Sequence, residues 1–156
     1  MNIINIKELF EKQFVGGKFA RYDIVLRYVF IQKYYESNKA DNFKYKPYNK
    51  LLKIRNRDYN AKKFIKIINS FEEYKYRDEY PIVLDSNNIM RNGGHRLACC
   101  LWFGINDIPY RINKKKKGKR IFTKTWMIDN GFSKYMDMFD CVKNKLFLKM
   151  EGADNG

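Results

Sequence analysis

Two groups of residues in this chain have the types and spacing to handle an anion. The first is Asn92-Gly93-Gly94-His95-Arg96, where an extended run meets the start of a helical one. Two glycines there permit positive φ and leave backbone N–H groups uncovered by side chains. The first turn of a helix has unpaired N–H groups and a partial positive charge, so it attracts anions. Arg96 at that end opposes the dipole by roughly 0.3–1 kcal/mol. An anion meeting the amides, His95 and Arg96 together would reverse that sign, and the chemistry implied is phosphate binding. The spacing alone fits equally an ordinary turn with Arg96 in solvent, since the segment is neither a Walker loop nor a dinucleotide fingerprint.

The second group is Arg21, Asp23 and Arg27. Asp23 and Arg27 stand four residues apart on a helical stretch. They make either a surface pair contributing ~0.3–0.5 kcal/mol or part of an arginine-rich face that holds an anionic substrate. In the second reading Asp23 orients or deprotonates the substrate's hydroxyl. Glu8 and Glu11 are further acidic candidates, and Arg91 could join the arginines at a phosphate-sized site. Asp85, at a strand end near the glycines, either caps a turn or reaches a magnesium ion. His95 and Cys99 have metal-ligand spacing, but the chain has one histidine and no Cys-x-x-Cys partner. Cys99 and Cys100 therefore read as small apolar packing residues. Lys114 to Arg120 is a basic run without interleaved aromatics, a solvated loop before it is a nucleic-acid contact. Trp126 with Phe132 packs the last helix against a sheet, or covers an adenine ring.

The elements that must position these residues can be read from apolar spacing. Ile6, Phe10 and Phe14 give a first short helix over Ile4 to Phe14, broken at Gly16-Gly17. A longer helix is expected from Lys18 to Glu36. Lys44 to Asn56 is ambiguous, with Pro47 able to open a short helix. Asp58 is an expected N-cap for a helix through Phe71, with Phe64, Ile67, Ile68 and Phe71 toward the core. Pro81 to Asp85 and Ile89 to Arg91 read as strands around a Ser86-Asn87-Asn88 turn. A helix over His95 to Phe103 ends at Gly104, and Asp107 to Ile112 is the next strand. A strand over Ile121 to Trp126 and a helix over Ser133 to Leu148 complete an α+β chain with a helical N-terminal half. The organisation is one domain over residues 1–150, with a disordered polar tail over 151–156.

Composition sets the outer bounds. With 156 residues, one domain is the expectation, and 45% hydrophobic with 17% aromatic residues excludes a disordered chain. The net charge of +15 points to polyanionic partners: nucleic acid, anionic membrane, nucleotides or phosphorylated sugars. Of the 32 cations 23 are lysine, beside only five alanines, a balance that an A/T-rich coding sequence would also produce. No run approaches the ~20 apolar residues of a membrane span, and the first residues lack a secretory pattern. Three cysteines, two of them adjacent, make a poor disulfide framework and suit a reducing compartment. A cytoplasmic protein is expected.

Residues 81–112 resemble the signature of the ParB/sulfiredoxin superfamily. There, a strand, a turn and a second strand lead into a Gly-x-His-Arg-type box, a helix, a glycine and a final Ile-Pro strand. Here the box is Gly93-Gly94-His95-Arg96, with Leu97-Ala98, Gly104 and Ile108-Pro109 following in the same order. The Arg21-Tyr22-Asp23 and Arg27 stretch and the Phe64–Phe71 helix are most similar to single-domain members associated with bacterial surface-polysaccharide synthesis. The resemblance implies a small mixed sheet with helices packed around it. It further implies a nucleotide-dependent kinase, using ATP or ADP with Mg²⁺, that phosphorylates a hydroxyl of an amino acid or sugar-type precursor. Asn92 to Arg96 would hold the phosphates, Arg21 and Arg27 an anionic substrate, and Asp23 and His95 the catalytic step. The alternatives it leaves are a ParB-like nucleic-acid-binding or nuclease module and a nucleotide-binding regulator without turnover. Sulfiredoxins carry a cysteine where this chain has Gly94, so their chemistry is not expected. The kinase-like branch prefers aspartate at Asn92, and asparagine cannot serve as a carboxylate base or strong magnesium ligand.

Overall fold

Phe64, Ile68 and Phe71 recur at helical spacing and are buried, and Asn60 starts the helix they share by accepting a hydrogen bond from the Lys63 amide at 3.0 Å. These residues lie in a computed structural model that describes residues 2–14, 20–57, 59–77, 81–118 and 121–154. The helix, α4, spans Ala61–Tyr74, and Asn60 rather than Asp58 caps it. Asp58, Gly16-Gly17 and the expected helix start at Lys18 lie outside the described residues.

Four strands form a mixed sheet: β1 (Asn2–Asn5), β2 (Ile82–Leu84), β3 (Met90–Asn92) and β4 (Asp107–Ile112), in the order β1-β4-β2-β3. β1 and β3 run antiparallel to their neighbours, and β2 and β4 are parallel. A parallel pair needs a crossover, and here β3 and helix α5 (Gly94–Phe103) provide it. The remaining helices are α1 (Ile6–Lys12), α2 (Tyr22–Glu36), α3 (Lys46–Ile54), α6 (Lys124–Met127) and α7 (Met136–Asp154). The class is α+β, as the residue patterns imply.

The core forms where α2 lies on α5, the most extensive helix–helix contact in the protein. α2 buries Ile24, Val25, Leu26, Val29, Phe30 and Ile31. A helix apolar on nearly every side belongs at the centre of a fold. Phe30 anchors an aromatic cluster, with ring centroids 4.7 Å from Phe64, 4.8 Å from Tyr48 and 5.0 Å from Phe43. α5 contributes Leu97, Ala98, Cys99 and Cys100, all buried, and burial pushes both thiols up, which suits packing and not nucleophilic chemistry.

Three local expectations are corrected. The segment from Ile4 begins as strand, because Ile3 and Ile4 pair with Pro109 and Ile108 and Asn5 caps α1 through the Lys7 amide. Ile121 to Trp126 is not a strand: Thr123 accepts from the Trp126 amide and opens α6. A kink at Asn130-Gly131, where Gly131 takes φ 89°, and a 3-10 turn (Ser133–Tyr135) then lead into α7. The last correction is at the C-terminus, where α7 carries helical backbone to Asp154, into the segment read as a disordered polar tail. Ile67 is half-buried and packs against the core, as its spacing implies.

The outer edge of β3 is closed by side chains. Gln13, wholly buried, accepts from the Met90 amide at 3.0 Å and donates to the Asn88 carbonyl at 3.0 Å. Its amide thus stands where a neighbouring strand's peptide group would. Arg21 Nη1 donates to the Met90 carbonyl at 3.2 Å. Gln13→Ala leaves a buried N–H and C=O without these partners, and should cost about 1–3 kcal/mol in urea denaturation. Gln13→Glu keeps the acceptor but sets a buried carboxylate against the Leu9 and Asn88 carbonyls, and should cost at least as much as Gln13→Ala.

Candidate functional site

Asp23 is completely buried in the first turn of α2. Arg21 grips its carboxylate with Nε to Oδ1 and Nη2 to Oδ2, both at 2.7 Å, and Arg27 donates a further hydrogen bond to Oδ2. Arg21 is 2% exposed and Arg27 13%, so this is a core charge cluster and not a surface pair. Burial by itself would raise the Asp23 carboxyl, but Arg21 and then Arg27 outweigh it and hold the group well below the usual carboxylate range. Two guanidiniums against one carboxylate leave a positive charge in place.

That cluster sits against the glycine box. A Cβ on Gly94 would meet Arg27 Nη1 at 2.7 Å, Arg21 Nη2 at 3.4 Å and Asp23 Oδ2 at 3.5 Å. Only a residue without a side chain allows this approach. Gly93 turns the chain from β3 into α5 with φ 101°, and a Cβ there would press on Ile82 Cγ1 at 3.0 Å. The two groups singled out from the sequence, seventy residues apart, therefore meet at the start of α5.

His95 occupies the same turn. Its Nε2 shares a hydrogen bond with Tyr48 Oη at 2.9 Å, and its ring packs on Tyr59 and Phe64, each centroid 4.7 Å away. Burial raises the Tyr48 hydroxyl well above its ordinary value, while Arg27 pulls it part of the way back. Burial likewise raises Tyr59. Both phenols are therefore neutral near pH 7, and they hold the imidazole in one orientation beside Arg27.

The other site residues take different places. Asn92 lies in β3 and its Oδ1 accepts from the Val83 amide at 3.3 Å, so it extends the sheet ladder, and Gly93 occupies the N-cap of α5. Asp85 anchors a loop, the turn-capping alternative for this residue. Its Oδ1 accepts from the Asn87 and Ile89 amides at 2.8 and 3.1 Å, and its Oδ2 from the Gly118 amide at 2.8 Å. The exposed Lys114–Lys117 run is thereby tethered to the β2–β3 turn, while Lys119 and Arg120 lie outside the described residues. Among the described residues no three His, Cys, Asp or Glu side chains gather as a metal site. Glu8 and Glu11 are exposed on α1, and Glu11 borders a recess with Tyr22, Lys124 and Lys143. Trp126 stacks on Phe132 with centroids 6.4 Å apart, the packing role. Arg91 is half-buried on β3, with its Nη1 buried.

Arg96 reaches toward Pro81 and α4. Its Nη1 donates to the Pro81 carbonyl at 3.1 Å, and the side chain lines a cavity of about 390 Å³ against α4. Arg55 is the residue the sequence did not reveal. It caps the C-terminus of α3, and its guanidinium lies 5.3 Å from the Phe122 ring, with that of Arg21 at 5.6 Å from the same ring. Burial, then Arg57, lowers its pKa, and Arg21 and Arg27 add to the effect while Asp23 opposes it. No spacing rule links residue 55 to residues 21–27; only the fold of α3 over α2 does.

No family model, curated protein or solved structure matches this chain, and the site is read on its own geometry.

The ion cluster has a direct consequence for stability. Asp23→Ala should destabilise the protein by about 3–5 kcal/mol in chemical denaturation, because it strands two buried guanidiniums. With its carboxyl depressed on folding, Asp23 contributes its full stabilisation above the unfolded value of about 3.8. That contribution falls away as pH drops below this value. Unfolding free energy measured from pH 6 down to pH 2.5 should show that loss, and Asp23→Asn should remove the dependence due to this group.

Proposed function

We propose that this chain binds a nucleotide by its phosphates at the start of α5 and transfers phosphate to a small hydroxylated acceptor, as a kinase of ParB/sulfiredoxin type. The observation that carries the reading is the convergence of Arg21, Asp23 and Arg27 on Gly94. Fixed guanidiniums beside a helix N-terminus suit the charge of a phosphoryl group, whose transfer depends mainly on positioning and electrostatics. The order strand, turn, strand, glycine box, helix, glycine, strand, formed by β2, β3, α5, Gly104 and β4, supports the resemblance on which the kinase assignment rests.

The residue roles follow from the contacts. Arg27, 13% exposed, is the guanidinium able to meet a ligand, with the first-turn amides of α5 beside it. Asp23 positions Arg21 and Arg27; a carboxylate this strongly stabilised in its ionised form is a poor base. His95, steadied by Tyr48, is the group at the helix start that is able to carry a proton. ATP or ADP is the phosphate donor. Magnesium, where the donor needs it, has no protein ligand set among the described residues, and no step is assigned to it.

A second reading has one observation in its favour. Asp23, Asn92 and Asp85 all spend their side-chain oxygens on protein partners, which suits a regulator that binds nucleotide without turnover. For a nucleic-acid module the charge is the main support, and the exposed Lys114–Lys117 loop is its natural contact. Among the described residues no helix is long and apolar enough to cross a membrane.

A thermal-shift panel of ATP, ADP and CTP, each with and without Mg²⁺, tests the reading. At least one nucleotide should raise the melting temperature, and Arg27→Ala should abolish the shift. Phosphate-transfer screening on amino acids, sugars and sugar phosphates then separates the two nucleotide readings. A shift with transfer supports the kinase, and a shift without transfer the regulator. No shift with any nucleotide rejects both, and salt-sensitive binding of DNA or RNA in its place supports the nucleic-acid module.

A further inference from the structure

Arg96 starts in the first turn of α5, and its side chain lines the cavity against α4. The cavity, about 390 Å³, is walled by Ile67, Phe71 and Tyr76, with Ser70 as its neutral hydroxyl and Lys66, Lys75 and Arg96 bringing positive charge. Arg77 borders it too. Phe71 and Tyr76 meet edge to face with centroids 5.6 Å apart. A volume of this size suits a small molecule, and mostly apolar walls with a few charged groups are what such sites present.

Two features set this cavity apart from an accidental gap. Ile67 falls on the apolar period of α4 and packs against the core, while its half-exposed side lines the cavity wall. Lys75 ends α4 with φ 61° and ψ −150°, a conformation that strongly favours glycine. Lys75 lines the cavity from that position, with its amide bonded to the Phe71 carbonyl at 3.0 Å and its ammonium 5.7 Å from the Phe103 ring. Backbone outliers of this kind cluster at ligand clamps.

We infer that this cavity binds an organic anion with a flat apolar body, Lys66, Lys75 and Arg96 taking the charge and Ile67, Phe71 and Tyr76 enclosing the body. Arg96 then belongs to a second ligand site that shares α5 with the first. Binding at this cavity does not depend on the phosphotransfer reading.

The probe is 1-naphthyl phosphate, which has the required chemistry without being a nucleotide. Its binding is followed through backbone amide chemical shifts, against inorganic phosphate and 1-naphthol as its two halves. The expected result is saturable shifts at Ile67, Ser70, Phe71 and Tyr76, with each half binding at least tenfold more weakly. Reversing the two exposed lysines together, Lys66→Glu with Lys75→Glu, should weaken it at least tenfold without changing the circular dichroism spectrum. Ile67→Trp, which fills the cavity, should weaken it similarly. The inference is overturned if those amides do not shift, if the shifts centre on Gly94 and His95, or if the charge-reversed protein binds as well as the original. An ATP titration in the same experiment is independent: loss of ATP binding with the cavity still occupied refutes the nucleotide reading alone.

Discussion

A carboxylate with no contact to solvent has to be matched by charge from inside the protein, and Arg21 and Arg27 meet that demand for Asp23. The consequence spreads outward. Arg21 must enter the core, and in doing so it reaches the Met90 carbonyl and ties the start of α2 to β3. Arg27 must lie across the start of α5, which leaves space only for a glycine. Tyr48 and Tyr59 then close around His95 on the adjoining side. One buried ionic contact thus decides where α2, α5 and the edge of the sheet stand relative to each other. A buried pair of this kind adds little net stability over an apolar replacement, whereas breaking it is severe, so its value here lies in the site it builds.

The same arrangement explains the division of labour around α5. The helix offers its first turn to one side and the Arg96 side chain to the other, and the two surfaces differ in kind. The first is ionic and tightly constructed, with few degrees of freedom left in its side chains. The second is apolar, open and bordered by flexible lysines.

Much of the fold was legible from local rules. Gly104 ends α5 with φ 69°, Pro47 opens α3, and β2, β3 and β4 fall on β-branched runs bounded by turn residues. What escaped were features made by contacts between distant segments. Asn2–Asn5 is strand only because β4 lies beside it, and a four-residue run carries too little period to show that. Thr123 opening α6 competed with a β-prone run and won through its cap. The arginine triplet and the glycine box were each visible as candidates, but their meeting was not, since no spacing relates residue 23 to residue 94. Asp23 and Asp85 looked like available acids because sequence shows a carboxylate and not its hydrogen bonds. Gln13 and Arg55 gave no signal, as each acquires its role from a partner brought by the fold.

The Gln13 amide on β3 bears on how this protein behaves in company. A sheet edge with unpaired N–H and C=O groups is a template for another chain, and most folds guard it with charge or a bulge. Here one side chain imitates a peptide unit and occupies the positions an incoming strand would need at Met90 and Asn88. Growth of the sheet through β3 is therefore blocked by internal mimicry. The opposite edge, β1, exposes Ile3 at 65% and has no such guard among the described contacts. Self-association by strand addition, under conditions that loosen the fold, would begin at β1.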